Sequence, residues 1–412
     1  MSVRGRRFAA AVTLALGLAT LAGCGSSAPE SGSTPTLNWY VGPDRVDPAA
    51  LAKSCSTAAY TIAVKKLPTD INDRHADLVR RFVAEDTSID LLSLDSEFTA
   101  EFASAQFLAP VPDDLVPAYS KDIAPTALAA ATYDGSLVAV PWWFDPQLLW
   151  FRGNTAERAG LDSAKASSWD AVVAGAHRLG VTVEIEDLDG TGLSDWVNAL
   201  VAGSGGTLVD GTGRHAKIGL DSDAGKAAAG VAEFYRGSHV GPGPSKDALS
   251  AFAGVDGGFL LAPVSVITDP ALAAVAPDMG WAPYPLVGKS SVAPLSGVEL
   301  AVPLYAPHSV LSYRAISCLT SATSMRTLMT SSGHSASRLT TYDDPAVKTA
   351  YPMAAVTKPA VASGRAVPVT PYWHLIRTGI DDSWAPLKRV TAGDTPGLSQ
   401  KVVSAQLAGE VP

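Results

Sequence analysis

Aromatic side chains next to carboxylates are the residues of this chain whose types and spacing could bind a polar solute. They form three groups, at positions 39–40, 142–145 and 372–374, each at the end of a strand-like run or after a proline. Strand ends of an α/β sheet point into the crevice where ligands bind. Aromatic rings suit the apolar C–H faces of a sugar, and carboxylates accept hydrogen bonds from its hydroxyl groups. The three groups therefore predict a sugar-binding cleft, although each aromatic residue taken alone is more typical of a core.

Catalytic motifs are missing from the sequence. It contains no His-Glu-x-x-His or Cys-x-x-Cys metal motif, no Gly-x-Ser-x-Gly turn for a serine nucleophile and no Gly-x-x-x-x-Gly-Lys phosphate loop. Asp95, Glu97 and Asp145 could serve a glycosidase, but sequence alone does not place two of them at a productive separation. We therefore predict a binding protein that needs no cofactor, with a surface glycosidase as the alternative.

An acidic segment at positions 184–192 (EIEDLDGTG) is faintly similar to a calcium-binding loop. It lacks the spaced ligands and the terminal glutamate that such a loop requires. We predict a turn before a helix that begins near Leu193, and no metal site.

The amino terminus has the pattern of an export signal. Three arginines precede an apolar run from Phe8 to Leu21, which is about half the length that spans a bilayer. Leu-Ala-Gly before Cys24 is the pattern that a lipoprotein-processing pathway requires, because the thiol receives the lipid. We predict a signal peptide at 1–23, a lipid on Cys24 and a flexible tether at 24–35. The alternative is an ordinary signal peptide with an incidental cysteine.

The net charge limits the class of partner, and the cysteines indicate whether the protein contains a disulfide. The net charge is −9 and no long basic run follows the signal, so nucleic acid is excluded as a partner. With Cys24 assigned to lipid, Cys55 and Cys318 remain in a compartment that permits disulfides. We predict that they bond to each other, and two free buried thiols are the alternative.

Strand and helix patterns alternate along the chain, which predicts an α/β fold with a largely parallel sheet. The strands are predicted at 37–41, 60–64, 89–94, 137–141, 181–185, 259–263 and 298–303. Between them, helical spacing is clear at 75–85, 168–179, 193–202 and 224–235.

Five segments resemble the maltose-type extracellular solute-binding proteins, carbohydrate-binding lipoproteins that serve ATP-driven importers. They lie at 89–111, 137–152, 195–210, 296–303 and 365–380, and the resemblance covers most of the chain after Thr36. It implies a two-lobed periplasmic-binding-protein-like α/β fold, with a hinge and a cleft between the lobes. The expected boundaries are 36–141 with 300–345 for lobe 1, and 142–299 with 346–412 for lobe 2.

The resemblance also implies a function outside the cytoplasm. It is strongest to a mycobacterial branch that captures trehalose, so we expect a lipid-anchored monomer that delivers a disaccharide to an importer permease in the cell membrane. Asp95, Asp145, Trp373 and Arg377 fall on positions that contact sugar in the family. With the aromatic groups and the return crossover, the expected ligand-binding residues are Trp373, Asp95, Asp145, Tyr40, Trp142, Trp143, Glu97, Gly297, Tyr372 and Arg377.

This chain departs from the trehalose branch in one place. Residues 259–263 read FLLAP, where that branch carries an acidic residue and a tryptophan before the proline, and the chain is shorter between Val264 and Met279. The solute therefore stays open between a sugar and a non-sugar such as a polar lipid headgroup or a peptide. A surface interaction protein that has lost binding is a further alternative.

Overall fold

The computed structural model describes residues 34–188, 190–241 and 247–410. The predicted signal peptide and Cys24 lie outside these residues, as does nearly all of the predicted tether. Within the described ranges, no helix is both long enough and apolar enough to cross a membrane.

The strands, in chain order, are β1 (Thr36–Val41), β2 (Thr61–Lys66), β3 (Leu91–Asp95), β4 (Thr132–Tyr133), β5 (Ser136–Leu137), β6 (Val140–Arg152), β7 (Thr182–Ile185), β8 (Val209–Asp210), β9 (Lys217–Ile218), β10 (Gly257–Pro263), β11 (Met279–Ala282), β12 (Leu286–Val287), β13 (Ser290–Ser291) and β14 (Leu295–Ala301).

The α-helices are α1 (Pro48–Cys55), α2 (Ile71–Val83), α3 (Ser96–Ser104), α4 (Val116–Ser120), α5 (Pro125–Ala130), α6 (Thr155–Arg158), α7 (Trp169–Leu179), α8 (Gly192–Gly203), α9 (Asp223–Gly237), α10 (Ala248–Ala253), α11 (Ser309–Leu319), α12 (Ala322–Ser332), α13 (Pro345–Ala350), α14 (Ala354–Ser363), α15 (Trp373–Trp384) and α16 (Thr395–Ala408). Short 3₁₀ helices lie at Val264–Thr268, Pro270–Leu272, Ala276–Asp278, Leu339–Asp343 and Leu387–Arg389.

Several helix ends follow directly from local chemistry. The carboxylate of Asp70 accepts hydrogen bonds from the backbone N–H groups of Asn72 and Asp73, which caps the start of α2. Ser168 caps α7 in the same way, and Gly180 ends that helix with a φ of 67°, a conformation that glycine adopts without strain. These caps fix where α2 and α7 begin; α7 starts where the spacing at 168–179 indicated, whereas α2 starts four residues before the predicted 75.

The main sheet runs through both lobes in the order β2-β1-β3-β14-β6-β10-β7, and β11 also pairs with β6. β1 pairs in parallel with β2 and β3, and β7 pairs in parallel with β10. β14 runs antiparallel to β3 and β6, and β10 and β11 run antiparallel to β6. The expectation of a largely parallel sheet is therefore wrong, because the strands that connect the lobes run against their neighbours.

The chain passes from lobe 1 to lobe 2 within β6. Its first half, up to Pro146, pairs with β14 in lobe 1, and its second half, from Gln147, pairs with β10 and β11 in lobe 2. This crossing lies about five residues beyond the expected boundary at 141. α13 and α14 also differ from expectation, because Val347 and Val361 pack in the core that contains β1 and β3, so lobe 1 extends past residue 345.

Cys55 and Cys318 form the predicted disulfide. Cys55 ends α1 and Cys318 lies in the last turn of α11, with the two Cα atoms 5.7 Å apart. The bond joins helices that are 263 residues apart in the sequence but lie in the same lobe. It therefore ties the first part of lobe 1 to the part that returns after lobe 2.

Replacing both cysteines with serine should lower the free energy of unfolding by about 3–5 kcal/mol, because the bond removes loop-closure entropy from the unfolded chain. Equilibrium unfolding in guanidinium chloride measures the change, and circular dichroism checks that the variant folds. An unchanged midpoint, or two thiols that react with reagent in denatured, unreduced wild-type protein, would contradict the prediction.

Candidate functional site

A cavity of about 1140 Å³ lies between the two lobes. The first turn of α2 and the residues before it form the lobe 1 wall, and the loop after β7 and helix α15 form the lobe 2 wall. Gln147, Pro263, Pro294 and Ser296 line it where the chain passes between lobes. The position at strand ends and between lobes is where small-molecule sites in such folds occur.

Charged groups rather than large aromatic side chains line the cavity. The carboxylates among its described lining residues are Asp70, Glu186, Asp187, Asp195 and Asp381. Two guanidinium groups, of Arg74 and Arg377, also line it, and none of the described lining residues is a tryptophan, tyrosine or phenylalanine. This lining can form many hydrogen bonds, and the aromatic ring among its described residues is the imidazole of His374.

Burial changes the ionisation of these carboxylates. It raises the pKa of Glu186 and of Asp381 to about 7, although nearby arginines oppose the shift. The pKa of Asp195 is raised well above its usual value, first by burial and then by the negative charges of Glu97 and Asp187. Raised pKa values favour the protonated forms, in which a carboxyl group can donate as well as accept a hydrogen bond.

Arg377 connects the two lobes across the cavity. From α15 it donates a hydrogen bond of 2.9 Å to Oδ1 of Asn72 on α2, and its guanidinium lies 4.0 Å from the carboxylate of Glu97 on α3. Burial raises the pKa of Glu97 to about 7, with Arg377 opposing the shift. The rings of His75 and His374 stack beside this contact at 5.7 Å. Of the expected ligand residues, Arg377 lines the cavity and Glu97 lies directly behind it.

Asp95 lies at the end of β3 and is held by Arg74. The Nε of Arg74 donates to Oδ2 of Asp95 at 2.7 Å, and burial raises the pKa of this carboxyl despite the arginine. Asp95 and Trp142 also line a small second cavity of about 20 Å³, enough for one water molecule. Asp95 therefore does not line the large cavity itself but holds the side chain of Arg74, which does.

Asp145 does not line the cavity, contrary to the expectation of a ligand contact. Its carboxylate is 1% exposed and accepts hydrogen bonds from Nδ1 of His334 at 2.7 Å, and from the N–H and the hydroxyl of Ser335 at 2.7 and 2.9 Å. Burial alone would raise its pKa, but His334 and Ser335 lower it below the usual value. Nε2 of His334 in turn bonds Asp44 at 2.6 Å. The buried carboxylate thus joins β6 to the segments around Asp44 and His334, next to the point where β6 passes between the lobes.

The two tryptophans expected to stack on a sugar are core residues in this structure. Trp373 is 2% exposed and packs in the core of lobe 2, and Trp142 is 1% exposed in the core of lobe 1. Alternation along β6 turns the next residue, Trp143, the other way, where it stacks on His334 at 4.0 Å. Neither Trp142 nor Trp143 lines the cavity, although both were among the expected ligand-binding residues.

The remaining expected residues also have partners elsewhere. The buried ring of Tyr40 lies under Arg81, and its hydroxyl contacts Ser88. Arg214 lies 4.9 Å from the centre of the Tyr372 ring. Gly297 pairs with Phe144, and a Cβ there would come within 2.5 Å of that ring, so glycine is required for the strands to pack.

Several residues of the cavity were not expected from the sequence, among them Arg74, Gln147, Glu186, Asp195 and Asp381. Gln147 is 7% exposed, and its Oε1 has no hydrogen-bond partner among the described residues. The signal for part of this set was the acidic segment at 184–192, which begins within β7 and whose described residues from Glu186 onwards line the cavity. Within the described ranges, no group of three histidine, cysteine or acidic residues could hold a metal ion.

Comparison with known proteins defines the class. The model of the bacterial extracellular solute-binding protein family matches residues 70–325, which is more than half of the chain. This chain therefore belongs to that family, which acts outside the cytoplasm and binds solutes rather than converting them. The family expected from the sequence is confirmed at this level.

Solved structures share the fold over nearly the whole chain. Maltose-bound MalE3 of T. maritima is 21% identical, covers 91% of this chain and 100% of its own, and superposes with a TM-score of 0.75. UgpB of Mycobacterium tuberculosis in complex with glycerophosphocholine is 18% identical, with coverages of 92% and 100% and a TM-score of 0.72. The two-lobed α/β fold is thereby confirmed.

The buried histidine at the hinge should make stability depend on pH. Burial alone would lower the pKa of His334, but Asp145 and Asp44 raise it to about 9, above the 6.5 expected in the unfolded chain. The resulting stability is complete below pH 6.5 and is lost as the pH rises towards 9, by up to about 1.4 kcal/mol per pH unit. Urea unfolding between pH 6 and 9 measures this slope.

His334→Gln should flatten that dependence, whereas His215→Gln, at an exposed position, should leave it unchanged. Equal slopes in wild type and His334→Gln would show that His334 does not titrate with folding. Circular dichroism at each pH separates loss of stability from loss of the folded state.

Proposed function

We propose that this protein captures a hydroxyl-rich solute outside the cell and delivers it to the permease of an ATP-driven importer. The observation that supports this proposal best is the cavity between the lobes, whose described lining has five carboxyl groups, two guanidinium groups and the side chain of Gln147. Hydroxyl groups of a sugar or polyol both donate and accept, so they match carboxylates, amides and guanidiniums together. No cofactor takes part in such binding.

The similar solved structures support this proposal through the ligands in their names. They include a maltose complex, a binding protein for cyclic α-maltosyl-1,6-maltose from Arthrobacter globiformis, and transporter proteins with D-mannitol and with ribitol. Several of these names also refer to an ABC transporter. At 16–21% identity they support the class of solute but do not select one.

Trehalose is the particular sugar that the sequence resemblance favours. A cavity of about 1140 Å³ exceeds the range of roughly 300–1,000 Å³ that is usual for small-molecule pockets, so a disaccharide fits. We propose that Arg377, Arg74, Gln147 and Asp195 contact the solute, with Asp95 and Glu97 positioning the two arginines. Aromatic stacking contributes little, because the described lining has no large ring.

Capture would work by closure of the two lobes. A solute that touches both walls favours the closed arrangement by the contacts that it makes only there. Arg377 and Asn72 meet across the cavity, and a solute in the closed arrangement adds further contacts between the two walls. We propose that the protein acts as a monomer, since one chain supplies both walls.

Calorimetry with trehalose, maltose, D-mannitol and glycerophosphocholine tests the function directly. We expect at least one hydroxyl-rich compound to bind, to raise the melting temperature and to reduce the radius of gyration in X-ray scattering. Gln147→Ala should weaken binding by roughly three- to tenfold, the effect of one lost hydrogen bond. Gln400→Ala, on α16 away from the cavity, is the control. Saturation with no change in scattering would contradict closure, and equal affinity of Gln147→Ala would remove that residue from the site.

We also propose that a lipid on Cys24 holds the protein on the outer face of the cell membrane, so that the captured solute is released beside its permease. Cys24→Ala should leave the precursor without a lipid and release the protein from the membrane fraction or leave it uncleaved. Intact-mass spectrometry of wild-type protein shows acyl chains if the proposal holds. A mature chain without them would disprove the anchor.

A further inference from the structure

Two histidines face each other where the lobes meet. His374 lies in the first turn of α15 in lobe 2 and lines the cavity, and His75 lies in the second turn of α2 in lobe 1. Their rings are nearly parallel, with an angle of 9° between the planes and 5.7 Å between the centres. Nε2 of His75 lies 2.9 Å from Oε1 of Glu101 on α3, so lobe 1 holds that ring. The two imidazoles therefore form a contact between the lobes beside the cavity.

The protonation state of His374 follows from its contact with Arg377. Nη2 of Arg377 lies 3.3 Å from Nδ1 of His374, and the same Nη2 donates a hydrogen bond of 2.9 Å to Oδ1 of Asn72 in lobe 1. A guanidinium group only donates hydrogen bonds, so Nδ1 of His374 must accept and must carry no proton. The neutral ring thereby orients the Nη2 group that reaches Asn72.

A second proton on His374 is incompatible with this arrangement. The added N–H would point at an N–H of Arg377, and two positive charges would lie side by side. Burial lowers the pKa of His374, and Arg377 and His75 lower it further, with Glu101 opposing the shift. Part of the ring is exposed at the cavity, so protons from solvent can reach it.

We propose that neutral His374 positions Arg377 across the cavity and that protonation of this imidazole releases Arg377 from Asn72, so that solute binds more weakly in acid. This inference rests on the proposed function, because Arg377 is one of the residues proposed there to contact the solute. His374 is a positioning residue, since it acts through Arg377. Its loss removes one of the two hydrogen bonds that hold Nη2 in place.

The direction of the pH dependence follows from linkage. When the lobes separate, His374 leaves His75 and becomes more exposed to solvent, where the ordinary pKa of histidine is about 6.5. The closed arrangement keeps the pKa of His374 lower, so it binds fewer protons than the open one. Its advantage is therefore complete above pH 6.5 and is lost as the pH falls below that value. The loss is at most about tenfold in affinity per pH unit.

Other ionisable groups face the same contact and must be separated from His374. They are His75 and Arg74 on α2, Glu97 and Glu101 on α3, Asp195 on α8, and Arg377 and Asp381 on α15. Burial raises the pKa of Glu97 and of Asp381 to about 7, so these carboxyl groups also change charge near neutral pH. They remain in a variant of His374, so the difference between that variant and wild type measures the contribution of the histidine.

His374→Asn is the variant that tests the proposal. The asparagine oxygen lies near the place of Nδ1 and accepts a hydrogen bond, but it does not titrate. Trehalose, maltose, D-mannitol and glycerophosphocholine do not titrate between pH 5.5 and 7.5, so calorimetry with the compound that binds most tightly gives the affinities. From pH 7.5 to 5.5, the wild-type affinity should fall about three- to tenfold more than that of His374→Asn.

His177→Asn, at an exposed position near the end of α7, is the matched control and should behave as wild type. Circular dichroism at both pH values confirms that each protein is folded. An affinity that falls equally in wild type and in His374→Asn would overturn the proposal.

NMR spectroscopy measures the protonation state without any solute. Spectra of protein with ¹⁵N-labelled histidine should show Nδ1 of His374 without a proton at pH 7.5, and His374→Asn assigns the signal. Arg377→Gln should raise the pKa of His374, because a neighbouring positive charge is lost. A proton on Nδ1 at pH 7.5, or an equal pKa in wild type and Arg377→Gln, would contradict the proposed role of His374.

The outcomes separate this inference from the proposed function. Absence of binding by all four compounds would reject the proposed function, whereas NMR and X-ray scattering of solute-free protein still decide the inference. In scattering, the radius of gyration of wild type should rise from pH 7.5 to 5.5, and that of His374→Asn should rise less. Solute binding with the same pH dependence in both proteins would keep the proposed function and reject the inference.

Discussion

The passage of one strand through both lobes is the constraint on which the rest of the structure depends. β6 pairs with β14 up to Pro146 and with β10 and β11 beyond it, so a single backbone belongs to two halves of the sheet. At this point Asp145 is buried, and a buried carboxylate is tolerated only when its oxygens are hydrogen-bonded. His334 and Ser335 supply these bonds from a segment that returns to lobe 1 much later in the chain. The crossing point near Pro146 is therefore held by the hydrogen bonds of Asp145 as well as by the strand pairing of β6.

Sequence periodicity located the strands better than it located their ends. The run predicted at 37–41 is β1, Thr36–Val41, and the one predicted at 89–94 is β3, Leu91–Asp95. The strand expected to stop at Pro141 instead continues to Arg152. Proline removes a backbone donor, but Pro141 lies where the pairing with β14 is irregular, and Pro146 lies where β6 changes partners. Local rules of this kind could not be applied without knowing the neighbouring strand.

The site was harder to predict than the fold, because the sequence does not tell which way a side chain points. Tryptophan is large and apolar, so Trp142 and Trp373 gain more from a core than from an exposed wall. Glu186 and Asp195 are expensive to bury without a function, which makes acidic residues at a strand end the better signal. The segment at 184–192 contains such acidic residues, but we predicted a simple turn there rather than a wall of the site. Arg377 was found because the family resemblance placed it, not because any local pattern did.

The contact between Arg377 and Asn72 bears on how tightly any solute can bind. This contact stabilises a closed arrangement, so part of the protein is closed before the solute arrives. The apparent affinity is then the affinity of the closed arrangement multiplied by the fraction of molecules that are closed. That contact must stay weak, since a lobe interface that is too stable would oppose release to a permease. The 4.0 Å separation between Arg377 and Glu97 is longer than a hydrogen bond, and Glu97 has a pKa near 7, so this pair holds the lobes only loosely.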